Sequence, residues 1–170
     1  MKILAGRFGG RKIKTSKNLS YRPTKSLVRK SLFDYLTPFE YNSVLDLFSG
    51  SGIFGFEAGS RGADSVVFVE KDQRTLRYLK QNSNLLNGPQ YSFHGQDTFT
   101  YLTKKKETFD LIFADPPYSK YDITELVEPA LEHLNKKGKF ILECNKEQVP
   151  FLEAVVKDYG KTRILYWENS

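Results

Sequence analysis

Short apolar segments that alternate with stretches of helical spacing constrain the fold of this chain more than any other feature. The predicted strands are Val44–Phe48, Ser65–Glu70, Tyr91–His94, Phe109–Ala114 and Lys139–Glu143. The predicted helices cover residues 53–60, 72–86, a short stretch after Asp97, and 123–134. Strands that alternate with helices form right-handed βαβ units, whose strands lie parallel in a sheet covered on both faces. We therefore predict an α/β, Rossmann-like fold with a mostly parallel, twisted sheet flanked by helices.

The C-terminal part of the chain departs from this alternation. A turn at Tyr159-Gly160 separates two segments of strand pattern, Glu153–Asp158 and Thr162–Trp167. This arrangement predicts a hairpin that adds antiparallel strands to the sheet. The stretch Phe151–Lys157 fits a helix equally well, so both structures remain open for it.

The first 30 residues form a strongly basic segment. They carry ten Lys or Arg side chains, and the first carboxylate of the chain is Asp34. The net charge of +6 hides this asymmetry, because the rest of the chain holds 16 basic against 20 acidic side chains. A basic segment on a mildly acidic body is typical of a protein that binds a polyanion. A solvated, disordered tail is the alternative.

The pattern of apolar residues favours an ordered structure for this basic segment. Hydrophobic side chains are interleaved with the charges, and residues 2–15 resemble a short hairpin that turns at Gly9-Gly10. Arg22-Pro23-Thr24 begins a predicted helix that ends near Leu36, before Pro38. We predict a single domain over 1–170, with a small basic N-terminal hairpin and helix in residues 1–38 and a core in residues 39–170.

Cysteine usage and hydropathy predict a cytoplasmic protein without a membrane partner. The single cysteine, Cys144, excludes an internal disulfide framework. No apolar stretch approaches the roughly 20 residues that span a membrane, and the N-terminus lacks the apolar segment of a signal peptide. With only His94 and His133 besides, we expect no zinc site, and we expect a monomer.

A glycine-rich loop follows the first predicted core strand. Gly50, Gly52 and Gly55 fit the spacing G-x-G-x-x-G, and Glu70 ends the next strand 20 residues after Gly50. In dinucleotide-binding folds such glycines allow close approach of the backbone, and the acid binds ribose hydroxyls. The loop therefore predicts a cofactor that contains a nucleoside, but the glycines do not distinguish between cofactors.

Asp46 favours S-adenosylmethionine over NAD. A carboxylate inside the loop repels a pyrophosphate but attracts an ammonium group, which the amino-acid end of S-adenosylmethionine offers. Three structural alternatives remain: Asp46 could cap the glycine turn, Glu70 could be a solvated strand end, and Asp97 could be a helix N-cap rather than an adenine contact.

The tetrapeptide Asp115-Pro116-Pro117-Tyr118 ends the apolar run Leu111–Ala114. Two prolines at a strand end make a rigid bend, which exposes a carboxylate, carbonyl groups and an aromatic face at one place. These groups can hold a flat base and accept hydrogen bonds from its exocyclic amine. A plain loop after a strand is the structural alternative, and chemistry on a nucleobase amino group is the functional one.

The chain resembles the bacterial 16S rRNA (guanine(966)-N2)-methyltransferase family, the RsmD-type enzymes, a branch of the class I S-adenosylmethionine-dependent methyltransferases. The matching motifs are Gly6-Arg7, Gly10-Arg11-Lys12, Arg22-Pro23-Thr24, Val28-Arg29, Leu32-Phe33, Leu45–Gly52, Glu57-Ala58, Ser60-Arg61-Gly62, Asp115–Tyr118 and Tyr159-Gly160. The Arg-Pro-Thr element is specific to the family, although Lys25 stands where a second threonine is common. The resemblance implies a class I methyltransferase fold, S-adenosylmethionine as the cofactor and guanine N2 of 16S rRNA as the target. It also implies a small-subunit assembly intermediate as the partner.

The resemblance further implies the roles of individual residues. The cofactor-binding residues are predicted to be Asp46, Phe48, Ser49, Gly50, Ser51, Gly52, Glu70, Lys71, Gln96 and Asp97. The methionine end would lie on Asp46 and the glycine loop, the ribose on Glu70, and the adenine near Asp97. The catalytic residues that hold the guanine are predicted to be Asp115, Pro116, Pro117 and Tyr118. The RNA-binding residues are predicted to be Arg7, Arg11, Lys12, Arg22, Thr24, Lys25 and Arg29.

Other functions remain open on the sequence alone. An adenine-N6 DNA methyltransferase shares the Asp-Pro-Pro-Tyr chemistry, but 170 residues leave little room for a separate target-recognition region. A small NAD-binding oxidoreductase would explain the glycines and Glu70 and leave Asp115–Tyr118 unexplained. A non-catalytic RNA-binding domain would not need an intact amine-binding motif.

Overall fold

The computed structural model describes residues 1–15, 26–117 and 120–170. Its strands are β1 (Ser43–Leu47), β2 (Ser65–Val69), β3 (Gln90–His94), β4 (Phe109–Ala114), β5 (Leu134–Asn145), β6 (Val155–Tyr159) and β7 (Thr162–Glu168). Its helices are α1 (Ser26–Tyr35), α2 (Ile53–Arg61), α3 (Gln73–Ser83), α4 (Thr98–Lys104) and α5 (Ile123–Glu132). The seven strands form one sheet in the order β3-β2-β1-β4-β5-β7-β6. The predicted alternation of strands and helices is therefore confirmed.

Helices cover the sheet on both faces, which explains why the central strands are mostly apolar, with Asp46 in β1 and Asp110 in β4 as exceptions. Side chains of α1, α2 and α3 pack in one hydrophobic cluster, and those of α4 and α5 pack in a second one. In β4, Leu111 and Phe113 contribute to the first cluster, whereas Ile112 and Ala114 contribute to the second. Successive strand residues point to opposite faces, so a strand between two helical layers is hydrophobic on both of its faces.

The register of the parallel strands brings three loops together at one edge of the sheet. Leu47, the last residue of β1, is paired with Val69 of β2 and with Ala114 of β4. The strand order changes direction between β1 and β4, which makes this edge the topological switch point where α/β folds bind ligands. The residues that follow these strands therefore lie side by side.

The C-terminal hairpin is antiparallel, as one of the two predictions for this region required. β7 pairs antiparallel with both β5 and β6. The alternative of a helix over Phe151–Lys157 is wrong, because the backbone from Val155 onward pairs with β7. β5 begins earlier than predicted, since a bulge opposite Phe109 lets Leu134 pair with β4 before the regular register starts at Lys139.

The N-terminal segment, residues 1–15, is a compact loop with a single antiparallel bridge between Lys2 and Lys12. The hairpin predicted for residues 2–15 is therefore reduced to this bridge and does not contain two regular strands. The backbone N–H of Ile3 bonds to the carbonyl of Arg11, and the N–H of Gly10 bonds to the carbonyl of Ile3. The predicted start of the first helix, Arg22-Pro23-Thr24, lies outside the described residues. In the described ranges, no helix is long and apolar enough to cross a membrane.

Candidate active site

A cavity of about 800 Å³ opens at the carboxyl ends of β1, β2 and β4. It brings together two groups of predicted residues that are far apart in the sequence. Its lining includes the cofactor candidates Asp46, Phe48, Ser49, Gly50, Ser51, Glu70, Lys71, Gln96 and Asp97, and the catalytic candidates Asp115, Pro116 and Pro117. The volume lies in the range of about 300–1,000 Å³ that is typical of small-molecule sites.

The glycine loop owes part of its composition to packing beneath it. Gly52 has a positive φ of 71°, and a Cβ atom there would stand 2.4 Å from Cδ2 of Leu79. A Cβ on Gly55 would stand 2.4 Å from Cε1 of Phe68. Gly52, a predicted cofactor ligand, does not line the cavity, and it serves the close contact of α2 with the sheet and with α3. Close packing thus explains why glycine stands at positions 52 and 55.

Asp46 is a buried carboxylate behind the glycine loop, with 2% of its surface exposed. Its Oδ2 accepts a hydrogen bond of 3.0 Å from the backbone N–H of Gly55, so it caps the first turn of α2. Burial raises the pKa of the Asp46 carboxyl well above its usual range, the Gly55 bond opposes this shift, and Glu70 adds to it. A cation that entered the cavity would compensate the buried charge.

Glu70 connects the loops after β1 and β2. One carboxylate oxygen accepts the N–H of Gly50 at 3.0 Å, and the other accepts the N–H of Asp72 at 2.8 Å. Glu70 is therefore not merely a solvated strand end, because its carboxylate binds two backbone N–H groups. A carboxylate has about four acceptor positions, so these two bonds leave capacity for ribose hydroxyls.

Asp97 is the N-cap of α4, as the structural alternative proposed. Its Oδ1 accepts the backbone N–H groups of Phe99 at 2.9 Å and Thr100 at 3.4 Å. Asp97 and the preceding Gln96 also line the cavity. Capping holds the Asp97 carboxylate at the cavity wall, so the capping role and a cofactor contact are compatible.

The Asp-Pro-Pro segment forms the opposite side of the cavity. Asp115 is half-buried, Pro116 is buried and Pro117 is exposed. The ring of Phe113, two residues earlier, stacks on Phe54 of α2 with centroids 3.8 Å apart. This stack fixes the end of β4 against the helix that follows the glycine loop. Tyr118 lies outside the described residues.

An aromatic wall around Tyr121, which no sequence motif assigned to the cofactor site, completes the cavity. Tyr121 packs against Phe48 at 5.1 Å and Phe99 at 5.7 Å between ring centroids. Nζ of Lys71, a predicted cofactor ligand, donates a hydrogen bond of 2.6 Å to the Tyr121 hydroxyl, and this bond is the main cause of a raised Lys71 pKa. The cations of Arg74 and Lys120 also line the cavity. The only signal in the sequence was an aromatic residue close to the Asp-Pro-Pro-Tyr motif.

The basic segment presents some of its predicted RNA-binding residues at the surface. Arg7, Arg11 and Lys12 are exposed. The guanidinium groups of Arg7 and Arg11 lie 5.9 and 5.5 Å from the ring centroid of Phe8, which is buried. The structure does not describe three other predicted residues, which are Arg22, Thr24 and Lys25.

Arg29 requires a correction, because the structure contradicts its predicted role as a phosphate contact. Only 3% of its surface is exposed. One guanidinium nitrogen donates to the carbonyl of Lys2 at 2.7 Å, and Nε lies 3.9 Å from the Glu57 carboxylate. Sequence spacing could not reveal this, because α1 turns the side chain inward toward a buried acid.

Glu57 fixes the basic segment to the core. It is fully buried and accepts the backbone N–H groups of Leu4 at 2.7 Å and Ala5 at 3.0 Å. Arg61 Nε donates to the same carboxylate at 2.9 Å. A buried carboxylate surrounded by donors is an anchor, so the N-terminal loop has a defined position on α2.

Comparison with known proteins agrees with this architecture. The family described as Conserved hypothetical protein 95 matches residues 1–168. Ribosomal RNA small subunit methyltransferase D of Buchnera aphidicola is 35% identical over 151 residues, which cover 86% of this chain and 78% of that protein.

Solved structures share the fold, which is that of the class I methyltransferases. A hypothetical protein of Thermus thermophilus superimposes with a TM-score of 0.86 at 30% identity, over 98% of both chains. The T. thermophilus 16S rRNA N2 methyltransferase RsmC, solved with AdoMet and guanosine, has a TM-score of 0.70 at 23% identity. The latter match covers 91% of this chain and 45% of that one, and it supports the fold alone.

Proposed function

Since the chain belongs to the Conserved hypothetical protein 95 family, in agreement with its resemblance to RsmD-type enzymes, we propose that it is an S-adenosylmethionine-dependent rRNA methyltransferase. The proposed target is the exocyclic N2 amine of a guanine in 16S rRNA of the small ribosomal subunit. One observation carries the proposal: a single cavity is lined by Asp46, Gly50 and Glu70 on one side and by Asp115–Pro117 on the other. A methyl donor and an amine acceptor would therefore share one site.

The cavity fits S-adenosylmethionine better than NAD. The buried Asp46 carboxylate interacts with the Gly55 N–H and with a second acid, Glu70, and an ammonium group would stabilise its charged form. A pyrophosphate beside Asp46 and Glu70 would be repelled by both. Glu70 and Asp97 would hold the ribose and the adenine end, with Tyr121 and Phe48 as the apolar wall.

When bound, S-adenosylmethionine would supply an electrophilic methyl group from its sulfonium to guanine N2, and that nitrogen would lose one proton afterwards. The protein contributes alignment and stabilisation of charge. Asp115 and the carbonyl of Pro116 would accept hydrogen bonds from the amine, which favours a more tetrahedral nitrogen. Tyr118 would stack on the extruded base, an interaction worth about 1–3 kcal/mol.

Asp115 has a role in proton transfer only after the methyl group has moved. An ordinary carboxylate is too weak a base to deprotonate an aryl amine in advance. The methylated nitrogen is cationic and acidic, so Asp115 or water takes its proton at that stage. A rigid bend at Pro116-Pro117 keeps the carboxylate at the cavity throughout.

The basic segment supplies phosphate contacts to the RNA. Arg7, Arg11 and Lys12 are exposed, and Glu57 holds their loop on the surface of α2. Such contacts position an RNA without reading its sequence. The choice of one guanine would depend on RNA shape within an assembling small subunit. Because the proposed substrate is a bacterial ribosomal particle, we expect the protein to act in the cytoplasm.

Methyl transfer from labelled S-adenosylmethionine tests the proposal. Purified protein is incubated separately with unmodified small ribosomal subunits, naked 16S rRNA and duplex DNA, and the labelled nucleoside is identified after digestion. We expect label in N2-methylguanosine from an RNA substrate. Label in N6-methyladenine of DNA would make the protein a DNA methyltransferase, and no transfer to any substrate would contradict both activities.

A further inference from the structure

The outward face of α3 is basic along its whole length. Arg74, Arg77 and Lys80 are exposed and follow one another at three-residue spacing, and the helix contains no Asp or Glu. The buried residues of α3 lie on its other side and pack against the core. Within the described ranges, neither Arg77 nor Lys80 forms an ion pair. Both side chains are therefore exposed cations without an ion-pair partner in the part of the chain that the structure describes.

The N-terminal basic loop is bonded directly to the end of this helix. The Asn82 side chain, fully buried, accepts the backbone N–H of Lys14 at 2.8 Å and donates to the Lys14 carbonyl at 2.9 Å. Arg11 donates to the carbonyl of Leu85 at 2.7 Å, just beyond the helix. The Asn82 side chain bonds both backbone groups of Lys14, as a neighbouring strand would. These bonds hold the N-terminal loop against the end of α3, so the basic side chains of the loop and of α3 lie on one continuous surface.

At its other end α3 reaches the cavity. Arg74, in the first turn, lines the cavity together with Lys71 and Lys120. A helix of 11 residues spans about 16 Å. The row of basic side chains at Arg74, Arg77 and Lys80 therefore extends from the N-terminal loop to the mouth of the cavity.

Helix α5, on the opposite side of the sheet, carries acidic side chains. Glu125, Glu128 and Glu132 are exposed on α5, which packs on the other side of the sheet from α3. These acidic side chains are therefore separated from the basic surface by the whole sheet. A polyanion would be attracted to α3 and repelled by the acidic side chains of α5.

We propose that α3 is part of the RNA-binding surface, with Arg77 and Lys80 binding phosphate groups of the strand that leads from the N-terminal loop to the cavity. The proposal rests on the proposed function for the identity of the polyanion, but it concerns binding and not methyl transfer. It adds a helix that no sequence motif indicated. The partner is an RNA backbone, since exposed cations with N–H donors suit phosphate oxygens.

The salt dependence of RNA binding tests the proposal. Affinity for an unmodified 16S rRNA transcript is measured between about 50 and 200 mM salt for the wild type and for the double variant Arg77→Gln/Lys80→Gln. Loss of two phosphate contacts lowers the slope of log affinity against log salt by about 1.4–1.8. The charge-conserving variant Arg77→Lys/Lys80→Arg should keep the wild-type slope.

A second double variant controls for net charge. Lys104→Gln/Lys106→Gln removes the same charge from the end of α4, at the sheet edge opposite the cavity, and should leave the slope unchanged. Equal slopes for wild type and Arg77→Gln/Lys80→Gln, or equal losses in both double variants, would overturn the proposal. Methyl transfer by the wild type is scored separately, so an inactive protein with the expected slopes would contradict only the proposed function.

Discussion

The ammonium group of Lys71 and the hydroxyl of Tyr121 meet at 2.6 Å and join the loop after β2 to the segment after β4. The two residues are 50 positions apart in the chain. Lys71 follows the proposed ribose ligand Glu70, and Tyr121 follows the proposed guanine-binding motif. This contact therefore connects the cofactor side of the cavity with the target side.

Substitutions of Tyr121 separate the effect of the hydroxyl from that of the ring. Tyr121→Phe removes the acceptor but keeps the packing on Phe48 and Phe99, and we expect S-adenosylmethionine affinity to fall about two- to fivefold, since the lysine side is exposed to water. Tyr121→Ala also removes the ring and should weaken binding by about tenfold or more. Calorimetric titration measures both. Wild-type affinity in the alanine variant would show that this wall does not contact the cofactor.

Asp46→Asn should stabilise the cofactor-free protein and weaken cofactor binding. Because the folded pKa is raised, the wild-type carboxyl contributes stability below its ordinary pKa, and this contribution is lost as pH rises through the folded pKa. The asparagine can still accept the Gly55 bond without a charge. The Tm of the variant should therefore exceed that of the wild type increasingly from acidic to neutral pH.

The same Asp46→Asn variant lacks the partner of the ammonium group. Loss of a buried charge pair should weaken the binding of S-adenosylmethionine by about 2–5 kcal/mol. Calorimetric titration with S-adenosylmethionine measures this loss. A variant that is more stable and binds the cofactor as tightly as the wild type would show that Asp46 only caps α2.

Asp115→Ala should keep cofactor affinity and lose turnover by about 10²–10³-fold, because its carboxylate is proposed to act on the amine in the transition state. The measurements are kcat in the methyl-transfer assay and calorimetric affinity for S-adenosylmethionine. Asp122→Ala is the matched control. Asp122 caps α5 through the Thr124 N–H at 2.9 Å, so its loss removes a helix cap and should leave turnover intact. Parallel loss of affinity and turnover in Asp115→Ala would contradict its role.

Glu57→Ala should lower the free energy of unfolding by about 3–5 kcal/mol, because it leaves Arg29 buried without its acidic partner. Burial already lowers the pKa of Arg29, and Glu57 opposes that shift. The double variant Glu57→Ala/Arg29→Met should regain about 1–2 kcal/mol. Urea unfolding is measured for the wild type, for the single variants Glu57→Ala and Arg29→Met, and for the double variant. Strictly additive losses would show that the two side chains do not stabilise each other.

The parallel βα core and the convergence of its motifs could be predicted from the sequence. The carboxyl ends of parallel strands share one edge, so Gly50, Glu70 and Asp115 had to lie together once their strands were identified. The same reasoning could not distinguish helix from hairpin at Phe151–Lys157, because that stretch fits both patterns. Pairing with β7, a long-range interaction, made it a strand.

The environment of individual polar side chains became known only from the packing of distant elements. Arg29 is as basic in sequence as Arg77, yet α1 buries the first beside Glu57 and α3 exposes the second. Asn82 has no motif around it, yet it holds the N-terminal loop on α3. The burial and partners of a polar side chain depend on which distant elements pack beside it, and local sequence carries the strand and helix pattern but not those contacts.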